Sequence, residues 1–115
     1  MVEFASKLGW MDLSDWHTWW KQQGALGVRR ILMQSWDPIG VAGVAEAADE
    51  YDSYVGVVGE RLRRGATVHE VASYLTDIQE NHMGLGRSQA TRLRDEAVAA
   101  QLSEWYEQEM NADQE

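Results

Sequence analysis

An all-α fold, a compact bundle of four or five helices, is what this sequence predicts, and three observations predict it. Apolar residues recur at helical spacing along most of the chain, strict polar-apolar alternation is missing, and Pro38 is the only proline in 115 residues. Apolar content of 44% suffices for a packed core. The length fits one domain, with residues 1–12 and 111–115 expected to be loosely ordered.

The first helix is expected from Leu13 to Gln23, with Asp12 as N-cap and Asp15 three positions on. Leu13, Trp16, Trp19 and Trp20 fall within an arc of about 120° and form its apolar side. Gly24 and Gly27 flank Ala25-Leu26 and predict a break. In the second helix Val28, Ile31, Leu32 and Trp36 follow i, i+3, i+4, i+8 and face the core, leaving Arg29 and Arg30 elsewhere.

Asp37-Pro38-Ile39-Gly40 then stops the helix, because proline disfavours helical geometry at the residue before it. Its order of residues suits a type I turn, and 41–48 reads as a loop. Trp36 and Tyr51 are expected to pack across this corner, with Ile39 folding back and Asp37 bonding to local backbone N–H groups.

Asp49 is expected to cap the third helix, with Glu50 and Asp52 in its positive first turn. Tyr51, Tyr54, Val55, Val58 and Leu62 are its apolar stripe, and Arg63, Arg64 and Gly65 end it. Gly56 and Gly59 inside it predict close packing of a neighbour. Thr67 and Glu70 form a capping box for the fourth helix, whose buried face is Val68, Val71, Ala72, Leu75 and Ile78. Met83-Gly84-Leu85 stops it. Joined this tightly, the third and fourth helices should form an antiparallel hairpin, Asp49–Gly84, at the centre of the bundle. The fifth helix should run from Ser88 to Met110 with Leu93, Ala97, Val98, Leu102 and Trp105 inward, followed by a frayed tail.

Composition narrows the function classes. Nineteen acids against ten bases give a net charge of −9, which disfavours direct nucleic-acid binding and suits a basic partner. With no cysteine there is no disulfide framework or thiolate metal site. The opening residues lack a signal-peptide pattern and no apolar run is long enough to span a bilayer, so a cytoplasmic location away from membranes is expected. His17, His69 and His82 lack metalloprotease spacing, Ser35, Ser53 and Ser73 lack a nucleophile elbow, and no glycine-rich phosphate loop is present. No cofactor is expected.

Asp37, Glu46, Asp49, Glu50 and Asp52 crowd one stretch. Such carboxylates can bind a divalent cation or raise one another's pKa for acid-base chemistry. Helix-start acids also gather simply because the macrodipole favours them, by about 0.3–1 kcal/mol each. This segment carries a resemblance. "ILMQSWDPIGV", "ADEYDSYVGVV" and "VASYLTDIQENHMGL" together resemble a widespread family of small, mostly uncharacterised bacterial proteins with a W-D-P-[ILV]-G … D-E-Y-D-x-Y … M-G-L pattern. The resemblance spans about residues 31–85, and it implies a helical fold and, weakly, an immunity or accessory role.

Six tryptophans are many for this length, and four lie between Trp10 and Trp20. They must be buried in the bundle or anchor a contact with another molecule. The leading expectation is a non-enzymatic inhibitor that covers a basic, nucleic-acid-handling protein, as an immunity or anti-CRISPR protein would. Trp16, Trp19, Glu46, Asp49, Asp52, Glu104 and Glu107 are its candidate contacts. The alternatives are a small enzyme or metal-binding protein built on Asp37, Glu46, Asp49, Glu50 and His82, and a homo-oligomer that uses the Trp face.

Overall fold

The computed structural model describes residues 12–37, 40, 51–86 and 88–114. Among these the chain is helical with no strand. Its helices are α1 (Leu13–Trp19), α2 (Ala25–Ile31), α3 (Asp52–Arg63), α4 (Val68–Asp77) and α5 (Gln89–Gln114). π-helical turns at Trp20–Gly24 and Leu32–Trp36 fuse α1 and α2 into one rod over 13–36, and a third, Ile78–His82, extends α4.

The break expected at Gly24 and Gly27 is therefore corrected, and the physical reason is a stripe of period four. Trp16, Trp20, Gly24, Val28, Leu32 and Trp36 recur every four residues, and all are buried or half-buried. In an α-helix such a stripe drifts by about 40° per repeat. The wider i→i+5 turns take up that drift and keep the stripe facing the core. The glycines serve as seats for indoles. A Cβ on Gly24 would lie 2.5 Å from the Trp20 ring, and one on Gly27 2.2 Å from Trp105.

Local signals act where expected. Asp12 Oδ1 accepts from the Asp15 N–H at 2.8 Å. Thr67 and Glu70 close a reciprocal capping box, with bonds of 3.1 and 2.8 Å. Gly65 and Gly84 take positive φ, 84° and 69°, at the ends of their helices. The Leu85 N–H reaches Gln79 O at 2.8 Å, one residue further back than the usual helix stop because the π turn intervenes. The Gly40 N–H bonds to Asp37 O at 3.1 Å, as a four-residue turn requires. Pro38, Ile39 and the 41–48 loop lie outside the described residues.

At the start of α3 the N-cap position belongs to Tyr51, and Asp52 is the first helical residue. The expected cap, Asp49, lies outside the described residues. The α3 stripe is buried at Tyr51, Val55, Val58 and Leu62, and Tyr54 packs against it. Gly59 receives the Trp20 ring, 2.2 Å from where a Cβ would sit, as close packing anticipated, whereas Gly56 faces open space. Each arm of the α3–α4 hairpin also packs on a neighbouring helix. α4 packs most extensively on α5, and α3 on α2.

α5 is rolled relative to expectation. Leu93 is 60% exposed and Ala97 is exposed, while Asp95, Val98, Ala99, Leu102, Tyr106 and Met110 face inward. The roll follows from Asp95, which finds donors inside the core. Leu13 and Val68, also expected inward, are exposed. Helix continues to Gln114 where a frayed tail was expected. None of the described helices is long and apolar enough to cross a membrane.

Candidate functional site

Three places in the fold concentrate chemistry: an indole cluster, a buried polar joint, and the outer face of α5. The indole cluster corrects part of the sequence reading. Trp16 and Trp19, expected among the partner contacts, are only 2% and 5% exposed. Trp16 stacks on Trp20 at 5.3 Å, Trp19 meets Trp105 at 6.0 Å, and its ring lies edge-on to Tyr106 at 5.9 Å. The Trp16 Nε1–H donates to the Tyr106 hydroxyl at 2.8 Å, and the Arg63 guanidinium lies 5.8 Å from the Trp16 ring. These two indoles are core. Gly24 lies against the Trp19 ring, and Trp105 and Tyr106 of α5 pack on it from the other helix.

The polar joint lies where the π turns at Leu32–Trp36 and Ile78–His82 meet α5. Gln79 and Asp95, each 1% exposed, are the buried polar residues among those described. Trp36 Nε1–H is shared between Gln79 Oε1 at 3.1 Å and Asp95 Oδ1 at 3.0 Å. Thr76 Oγ1–H donates to Asp95 Oδ2 at 2.8 Å, and Arg94 donates to Gln79. Burial pushes the Asp95 carboxyl above its ordinary range, against the pull of Thr76, Arg94 and Trp36. Sequence reading missed this joint. The available signal was a polar residue on an apolar stripe, Gln79 beside Ile78 and Asp95 three before Val98.

The carboxylates of the 37–52 stretch have structural partners where they are described. Asp37 accepts from the Tyr51 hydroxyl at 2.7 Å, and Asp52 takes a two-pronged bond from Arg29 at 2.8 and 2.7 Å. The Trp36 and Tyr51 rings meet at 5.4 Å, as expected of the corner. Glu46, Asp49 and Glu50 lie outside the described residues. His82 stands apart from Asp37 and Asp52 in its partners, with Nε2 3.9 Å from Asp77 and its ring edge-on to Tyr54. Among the described residues no group of three or more His, Asp or Glu is placed to hold a metal ion. A polar groove of about 380 Å³ between α4 and α5 is lined by His69, Ser73, Thr76, Asp77, Arg92 and Glu96, among others. Its charges are mixed, and Asp77 in it already accepts from Asn81 at 2.5 Å.

The outer face of α5 is different in kind. Glu104 and Glu107 are exposed and one turn apart, with Glu96 exposed two turns before Glu104. No Lys or Arg follows Arg94 in the chain, whereas seven acids do. Elsewhere acids and bases are interleaved: Glu60 holds both Arg63 and Arg64, and Arg29 holds Asp52. From Asp95 to its end α5 contributes no Lys or Arg of its own. Comparison with protein-family models, curated proteins and solved structures finds no match.

Proposed function

We propose that this chain is a non-enzymatic binding protein that uses the acidic outer face of α5 to cover a basic, nucleic-acid-handling protein, in the manner of an immunity or counter-defence inhibitor. The observation that carries this reading is the run after Arg94, where α5 exposes Glu104 and Glu107 one turn apart and contributes no Lys or Arg of its own. A surface with an excess of acids steers an oppositely charged partner and repels nucleic acid, so occlusion of a phosphate-binding surface is the chemistry it suits. Asp52, occupied by Arg29, contributes less, and the indoles contribute scaffold rather than contact.

The test is affinity capture from the native host, or from its phage-infected cells, with immobilised protein and a Glu104→Gln/Glu107→Gln variant. The reading requires that the wild type retain a basic, nucleic-acid-binding protein at low salt and release it as salt rises. The variant should retain markedly less while keeping the same helical circular-dichroism spectrum. Capture indifferent to both salt and substitution would exclude it.

A further inference from the structure

We propose that the exposed face of α3 is a docking surface for a second copy of this chain, which it meets through the acidic outer face of that copy's α5. Gly56, Val57, Glu60, Arg61 and Arg64 line an open groove of about 450 Å³ on this face. The groove continues past the helix end into a second concavity of about 280 Å³, which shares Arg61 and Arg64 and adds Gly65, Ala66 and Glu70.

Gly56 is the first reason to expect an occupant. Inside a helix such as α3, a glycine costs about 1 kcal/mol relative to alanine. The Trp20 ring accounts for Gly59, but among the described residues nothing lies within 4 Å of a Cβ placed on Gly56. Bare backbone at that point lets another chain approach closely. Beside it stands Val57, an apolar side chain that is 37% exposed.

Charge identifies the occupant. In a chain of net charge −9, the stretch 61–64 carries three arginines. Glu60 pairs with Arg63 and Arg64, and Glu70 accepts from the Thr67 N–H, so these two acids leave the face with a net positive charge. Arg61 lies over the Tyr74 ring, 4.6 Å from its centroid, which holds the guanidinium beside the groove. Arg61 and Arg64 are exposed and three positions apart, and so are Glu104 and Glu107 on α5. One turn of cations therefore matches one turn of acids carried by the same sequence. The proposal uses the same acids as the partner-binding reading, and a copy seated on them excludes a basic partner. Its test needs only the purified chain, so its failure leaves that reading standing.

Sedimentation velocity over a range of protein concentrations provides the test. The wild type should gain mass as concentration rises. Arg61→Glu/Arg64→Glu and Glu104→Lys/Glu107→Lys should each weaken association by about tenfold or more, the second even though it makes the chain less acidic. An equimolar mixture of the two variants should restore association, because every contact between unlike copies then joins opposite charges. Gly56→Leu should weaken association by about tenfold while keeping the helical circular-dichroism spectrum of the wild type. A wild type that stays monomeric at every concentration, a Glu104→Lys/Glu107→Lys chain that associates as the wild type does, or a mixture that stays apart overturns the proposal. Should a charge variant fail to fold, the wild type and Gly56→Leu decide.

Discussion

The Trp16 indole N–H and the Tyr106 hydroxyl, 90 positions apart in sequence, meet at 2.8 Å inside the core. This bond ties the first turn of the first rod to the last third of α5. Replacing Tyr106 with Phe removes the acceptor and leaves the buried indole donor unpaired, a loss of about 1–3 kcal/mol. Urea unfolding of Tyr106→Phe against the wild type measures it.

The same hydroxyl gives an alkaline prediction. Burial pushes the Tyr106 pKa from 10.0 up to about 12, against the pull of Trp16 and Arg63. The folded state therefore keeps its proton where the unfolded chain gives it up, and stability falls as pH rises from 10.0 towards about 12. Melting temperatures across that range should fall more steeply for the wild type than for Tyr106→Phe.

Glu60 acts at the acid end. Hydrogen bonds from Arg63 and Arg64 lower its pKa from 4.5 to about 2. Its contribution is complete above 4.5 and is lost as pH falls towards about 2. Glu60→Gln should flatten the acid limb of a stability profile measured by denaturant unfolding. The change should be small because the pair is largely solvated.

Three glycines separate packing from backbone entropy. Gly59→Ala and Gly27→Ala would each thrust a Cβ to 2.2 Å from an indole ring, of Trp20 and Trp105 respectively, and should destabilise by about 1–3 kcal/mol. Gly56→Ala meets nothing within 4 Å in the same helix as Gly59 and should stabilise by about 0.4–1 kcal/mol. Thermal melts of the three variants check both directions.

Asp37 adopts left-handed backbone, φ 35°, while accepting from Tyr51. Asn tolerates that conformation and retains an acceptor, so Asp37→Asn should change stability by under about 1 kcal/mol. Asp37→Ala loses both and should cost about 1–3 kcal/mol. Denaturant midpoints of the pair decide.

What the sequence determined alone was local. Asp12, the Thr67–Glu70 box, Gly65 and Gly84 act on backbone groups within a few residues, so their roles are legible without a fold. The apolar faces of 28–36, 51–62 and 71–78 were legible for the same reason, since helical period is a property of neighbours. Reading Trp16-Trp20-Gly24-Val28-Leu32-Trp36 as a stripe of four would have exposed the continuous rod, but an α-helical period splits it. Only tertiary structure decided that Gly24, Gly27 and Gly59 seat indoles, that Asp95 turns inward and rolls Leu93 out, and that Trp16 and Trp19 are core. Each of those depends on what a distant segment presents: an aromatic ring, an indole N–H, a hydroxyl. Burial of a polar group is favourable only when such a donor is already waiting, and no local pattern records that.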